Sequence, residues 1–219
     1  KYSLTVTADA AWINAEERAF PVFLDPTVEE IANDDSDICA VFIRDGYPAS
    51  VDTTDTYLYV GDAGNTNGLT RTYLHVNNLI RLPEGCELYN AEISLYHNGH
   101  NYITAGKNIE VGAYQITKAG NLDGESTAAQ WKNWANTLTW NKAHNGNTTI
   151  NSVVIDKQTL GSATVGGYVS WDITTLAYNW YDSEDNWANK GIALKVIDET
   201  NVQSRAILVG PRCNNNSNR

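Results

Sequence analysis

Methionine is absent from the 219 residues, phenylalanine occurs only three times, and Lys plus Arg number 15 against 26 Asp plus Glu. Each shortage excludes something. A formal net charge of −11 and a pI near 4.7 leave no clustered Lys and Arg for a phosphate backbone, so no nucleic-acid partner is expected. No run approaches the roughly 18 to 20 apolar residues that a membrane span needs, and no charged-then-apolar leader opens the chain, so no membrane insertion is expected. Cys39, Cys86 and Cys213 lie too far apart for metal-ligand spacing, and an odd number cannot complete a disulfide framework, so free or singly paired thiols are expected. With no Met and Lys1 at the first position, the sequence reads as a piece of something longer.

What is abundant is amphipathic aromatic surface. Tyr occurs 12 times and Trp 7 times, rings suited to places where one edge stays wet. The length suits a single all-β domain, and the Tyr, Trp, Asn and Thr bias with few Lys fits an exported bacterial protein. Residues 1–30 form a lead-in segment in which Pro21 and Pro26 bracket a short extended run and disfavour a long helix. A polar stretch at 34–37 follows as a linker. Short strands then recur at 39–43, 56–60, 71–76, 88–96, 109–116, 138–140, 152–155, 168–173, 191–196 and 206–209. They are separated by turn signals at Asn67-Gly68, Pro83-Glu84-Gly85, Asn98-Gly99, Asn145-Gly146 and Gly166-Gly167. Short strands spaced in this way predict an antiparallel β-sandwich over 31–212, with a frayed tail at 213–219. Two short helices are expected, at 126–134 with Ser126 or Thr127 as cap and at 174–180, where Leu176 and Trp180 share a face.

The region 168–196 is the densest in architectural signal. Val169 and Trp171 alternate with Ser170 and Asp172, and Ile192, Leu194 and Val196 alternate with Ala193 and Lys195, the period-two pattern of half-buried strands. Trp140, Trp171 and Trp180 are expected in the core, and Trp12 is expected to staple the lead-in segment to the body.

Three stretches together resemble a known family. They are Thr70-Arg71-Thr72-Tyr73-Leu74-His75-Val76, then Leu82-Pro83-Glu84-Gly85, then Asn90-Ala91-Glu92-Ile93-Ser94-Leu95-Tyr96. This arginine-led strand, Leu-Pro-x-Gly turn and Ala-x-Leu-x-Leu-Tyr-like strand resemble the first half of the bacterial DNRLRE domain. Trp171-Asp172-Ile173-Thr174, Trp180 and Gly191-Ile192-Ala193-Leu194-Lys195 resemble its second half, with Trp140-Asn141 between. The segment 18–26 is similar to what precedes such domains in secreted wall-associated and YD-repeat (Rhs-like) proteins. The resemblance covers roughly 38–210 and implies a jelly-roll-like sandwich with a non-catalytic, often carbohydrate-binding role at the bacterial cell surface or in secretion.

Sugar binding needs flat apolar surface for pyranose CH faces and amides or carboxylates for hydroxyls. Trp131 and Trp134, three apart on the first predicted helix, supply a pair of rings on one face, unless both indoles anchor that helix to the sandwich. Tyr102, in the polar stretch 97–107, and Trp187, between Asn186 and Ala188, are the other ligand candidates and are expected to be exposed. The partner would be a polysaccharide or cell-surface glycan, or neighbouring domains of the same long chain. The acidic groups Asp182, Glu184, Asp185 and Asp34, Asp35, Asp37 could serve glycoside hydrolysis, but in an acidic chain they read as solvated faces. Calcium is the metal such loop oxygens would hold, although no EF-hand pattern is present. His97 and His100 flank Asn98-Gly99 with no third ligand nearby and read as solvated turn histidines. No Gly-x-Ser-x-Gly elbow offers a nucleophile, so no catalytic residue is assigned. Three functions follow in order: a carbohydrate-binding or adhesive module, a structural spacer or assembly domain of a large surface protein or toxin shell, and a polysaccharide-active enzyme.

Overall fold

A computed structural model describes residues 14–15, 38–52, 57–77, 79, 88–121, 128–181 and 189–210. The chain divides into two compact units, 1–31 and 32–219. Asn14 and Ala15 are the residues described in the first. The expectations for Trp12, the prolines at 21 and 26, the linker, the caps at 126 and 127, Trp187 and the tail lie outside the described residues.

The second unit is an antiparallel β-structure with few helices. Its strands are β1 (Ile38–Arg44), β2 (Leu58–Gly61), β3 (Thr70–Val76), β4 (Glu92–Tyr102), β5 (Ile109–Ala119), β6 (Thr148–Leu160), β7 (Tyr168–Asp172), β8 (Ile192–Val196) and β9 (Ser204–Val209). The helices are α1 (Ala128–Ala135), the single turn α2 (Trp140–Lys142) and α3 (Thr174–Tyr181). The hydrogen-bonded order is β6-β5-β8-β3-β2-β9-β4-β7, with β1 also on β3. β2 meets β3 at one register pair, Gly61 with Thr70, but runs four pairs with β9. The sheet curls until its two ends meet: Asp172 N donates to Asp156 Oδ2 at 3.0 Å, tying β7 to β6, and Trp171 Nε1 donates to Val111 O at 2.9 Å, tying β7 to β5.

Alternation explains which residues fill the curl. In β4, Ile93 and Leu95 turn inward while Glu92 and Ser94 face water; in β7, Val169 and Trp171 turn inward while Tyr168 and Asp172 face out. With Leu58, Leu74, Val111, Ile192, Leu194 and Leu208 they make the inner core. A second apolar cluster lies on the outer face of β1, β3 and β8, where Val41, Ile43, Tyr73 and Ala193 are covered by Trp131, Trp134 and Ala135 of α1. Positions i, i+3 and i+4 of a helix share a face, so α1 lays both indoles on the sheet. β8 is therefore covered on both sides, and Ile192, Ala193 and Leu194 are all buried. Gly191 enters β8 at φ +96°, and a Cβ there would run into Leu74 O and press on Trp131 Nε1. Gly191→Ala combines a left-handed backbone with a clash against main chain, and a loss of about 2–3 kcal/mol in chemical denaturation is expected.

Two expectations about local structure change. Residues 138–140 are not a strand: Thr139 is extended, its Oγ1 accepts from Lys142 N at 3.2 Å, and the chain turns into α2 at Trp140. Short apolar runs such as Leu-Thr-Trp carry no period, and the threonine cap decided the outcome. Asn98-Gly99 is not a hairpin turn but a bulge inside β4, between the pairs His97 with Leu208 and Gly99 with Ile207. Cys39 is disulfide-bonded. Among the described residues no helix is long and apolar enough to cross a membrane.

Candidate ligand-binding face

The tryptophan pair picked out from the sequence is core. Trp131 is 0 % exposed, stacks on His75 at 5.3 Å and donates Nε1–H to Lys190 O at 3.0 Å; Trp134 is 8 % exposed and meets Trp131 edge-on. Indoles packed onto the sheet in this way present no open ring face to a sugar, so these two candidates are corrected to anchors of α1 on the sheet. Tyr102 is not on a polar loop but at the end of β4, half-buried against His100 at 4.7 Å with its hydroxyl shielded from solvent. Trp187 lies outside the described residues, as do the acidic groups 34–37 and 182–185. Of the expected core tryptophans, Trp171 is fully buried, Trp180 is partly buried against the inner core, and Trp140 is half-buried at the margin of the outer cluster.

Among the described residues Tyr47, Tyr89, Tyr168 and Tyr178 are exposed, and Tyr168 meets a second tyrosine ring on the outer face of β4 and β7. The register pairs Glu92 with Asp172, Ser94 with Ser170 and Tyr96 with Tyr168. These are the alternate residues, so all six side chains stand on the water side in three rungs. Tyr168 is 76 % exposed and meets Tyr96 edge-on at 5.5 Å. In the next rung the two serine hydroxyls are 2.6 Å apart. In the last, Asn90 Nδ2 donates to Glu92 Oε1 at 3.2 Å, and Thr174 N donates to Asp172 Oδ1 at 2.8 Å. Hydrogen bonds from Thr174, side chain and backbone, hold the Asp172 carboxyl below the usual carboxylate range. Beyond Tyr96, the half-buried Ile207 and Val209 of β9 extend the surface. The result is an aromatic platform followed within about two rungs, at roughly 3.3 Å per residue, by hydroxyls and then carboxylates, all on rigid strands.

Other clusters are internally satisfied. Arg71 of β3 forms a fork with Glu199 (Nε to Oε1 2.7 Å, Nη2 to Oε2 2.6 Å), lies over Trp140 at 4.8 Å, and donates from Nη1 to His144 Nε2 at 3.1 Å. Since guanidinium only donates, His144 accepts at Nε2 and gives its Nδ1–H to Trp140 O at 2.8 Å. These contacts clamp α2 and the turn after β8 onto the sheet.

The two β4 histidines are not solvated turn residues. His97 is fully buried, with Nδ1 2.9 Å from Thr164 Oγ1 and Nε2 3.4 Å from His100 Nδ1. His100 Nε2 lies 2.8 Å from Ser204 Oγ, which itself donates to Lys107 O at 2.8 Å. Ser204 therefore accepts from His100, both rings are neutral, and the chain of bonds ties β4, β9 and the β4–β5 loop. Burial first, then the neighbouring His97, push His100 down to about 4; burial lowers His97 as well. The Asn98-Gly99 signal obscured this in the sequence, because a bulge keeps the strand going where a turn would have ended it.

Among the described residues no group of three or more His, Cys, Asp or Glu is placed to hold a metal ion.

No family model matches the chain. It is similar to a curated protein, the tRNA3(Ser)-specific nuclease WapA of Bacillus spizizenii, with 26 % identity over 196 residues, which is 86 % of this chain and 7 % of WapA. The chain thus spans less than a tenth of the length of that relative.

Proposed function

We propose that this chain is a non-catalytic β-sandwich module of a long, secreted, surface-attached bacterial protein, and that it binds a glycan on the β4–β7 face. The observation that carries the reading is the 76 % exposed Tyr168, held by Tyr96 in a rung beside paired serines and paired carboxylates. Aromatic CH–π contact and hydroxyl recognition are the two demands of a sugar, and here they stand side by side. In this reading the curled sheet is a jelly-roll-like pair of layers, β6-β5-β8-β3-β1 and β2-β9-β4-β7, joined at the Gly61–Thr70 corner. It is the architecture that the DNRLRE resemblance implies. The Cys39 disulfide supports an oxidising, extracellular setting.

The likeness to 7 % of a much longer protein supports a module among other domains. It equally favours a second reading, a spacer or assembly domain that binds no ligand. WapA is named for cleaving a tRNA; a segment with net charge −11 is poorly suited to grip a phosphate backbone, and the reading gives this chain no part in such cleavage.

Affinity electrophoresis through a panel of bacterial and plant polysaccharides tests the reading. Retardation by at least one is expected. Tyr168→Ala should weaken it about tenfold, worth ~1.4 kcal/mol, whereas Tyr178→Ala, removing a 56 % exposed tyrosine on α3, leaves it unchanged. Migration unaffected by every polysaccharide would hand the case to the spacer, and release of sugar products would hand it to an enzyme.

A further inference from the structure

We infer that an open cleft at the far end of the sheet is a second sugar site, suited to one terminal ring and separate from the tyrosine face. For its ligand class this rests on the glycan reading above. The cleft has a volume of about 540 Å³ and is formed by the start of β5, the end of β8 and the loop leading to β9, within the size range of small-ligand sites. Tyr102, opposite Ser204 beside this rim, is six residues along β4 from Tyr96, about 20 Å away at roughly 3.3 Å per residue, so the two sites are separate.

The chemistry of the lining selects the ligand. Asn108, Glu110, Asp198 and Asn201 bring amides and carboxylates together, and Val196 and Val202 supply apolar wall. Three of these four polar groups are oriented by a neighbour. Lys157 Nζ donates to Glu110 Oε1 at 2.7 Å, Thr200 donates from N and Oγ1 to Asp198 Oδ1 at 3.0 and 2.6 Å, and Gln203 Nε2 donates to Asn201 Oδ1 at 2.9 Å. These bonds engage one oxygen of each carboxylate and fix the Asn201 amide with its NH₂ as the donor on the opposite side. Side chains locked in this way are pre-organised for a ligand. Vicinal hydroxyls, which both donate and accept, match carboxylate oxygens beside an amide donor, and their ring CH groups match valine. The lining's one ammonium, Lys107, is outnumbered by the two carboxylates that an anion would meet, and an apolar ligand would leave those carboxylates unpaired. With no aromatic in the lining, the ring is held by its hydroxyl edge, as an exposed chain end allows and a chain interior does not.

The test is NMR titration of the whole chain with free glucose, galactose, mannose and N-acetylglucosamine, and with inorganic phosphate. One neutral hexose is expected to shift the amides of Asn108, Glu110 and residues 198–203 in a saturable, millimolar-range curve. Asn201→Ala and Asp198→Ala should each weaken it at least tenfold while melting as the parent does and keeping Tyr168-dependent retention on polysaccharide. Shifts absent from the cleft with every hexose, shifts unaltered by both variants, or phosphate shifting the same amides would overturn the inference. Loss of the Tyr168-dependent retention alone would instead count against the face and leave the cleft standing.

Discussion

Trp171→Ala is expected to lower the thermal midpoint by about 10–15 °C, the largest effect of any single substitution considered. The indole is 0 % exposed, sits opposite Ile93 on β7, and reaches across the inner core to donate to Val111 O on β5. Truncation leaves a cavity costing about 3–5 kcal/mol and strips a buried carbonyl of its partner. In a domain of this size each kcal/mol moves the midpoint by roughly 2–4 °C. Trp171→Phe should recover part of the loss, because it fills the space without restoring the hydrogen bond. Trp140→Ala, at a half-buried position on the outer margin, should cost clearly less. A Trp171→Ala protein melting within about 2 °C of the parent would mean that the curl is not closed through this residue; calorimetry decides.

The second large effect is a loss of stability on mild acidification. His100 is pushed down to about 4 in the folded protein, from an ordinary value of 6.5. Between those values the unfolded chain binds more protons than the folded one, so unfolding free energy rises with pH across that window and falls as acid is added. The contribution is fully present above about pH 6.5 and is lost as pH falls towards 4. A drop of about 2 kcal/mol is expected between pH 7 and pH 4.5, after discounting for the part of the ring that water reaches. The geometry gives the reason. Ser204 gives its proton to Lys107 O, so His100 Nε2 already carries a hydrogen, and a further proton at Nδ1 would charge a ring that burial and the His97 imidazole 3.4 Å away both disfavour. Urea unfolding at stepped pH measures the slope. His100→Gln should flatten it between pH 5 and 6.5, and an equal slope in parent and variant would contradict the assignment.

Much of the architecture was legible because alternation is local. Val169 and Trp171 against Ser170 and Asp172, or Ile93 and Leu95 against Ser94, assign inward and outward faces without knowledge of any partner strand. The same parity places Tyr96 and Tyr168 on the water side, and that signal was available in the sequence. It could not show that the two tyrosines meet, because register depends on which strands pair, and β4 pairs with β7 across 65 intervening residues. Trp131 and Trp134 were correctly placed on one helical face, yet amphipathicity does not say whether an aromatic stripe meets the protein or the solvent. The small Ala193 on β8 and Gly191 just before it made the hollow that received them. The histidine chain was hidden for a different reason: Asn-Gly favours a turn in a short peptide, but the β9 strand beside it supplied enough hydrogen bonds to carry β4 through as a bulge.

Glycan binding on the outer face of β4 and β7 is what we propose for this chain. Amide shift mapping of the whole chain with the polysaccharide fragment that retards it most strongly tests this directly. Perturbations centred on Ser94, Tyr96, Tyr168 and Ser170 are expected, abolished by Tyr168→Ala in a protein that melts normally. Perturbations centred on α1 or the Arg71 cluster, or a spectrum unchanged by every fragment, would contradict it.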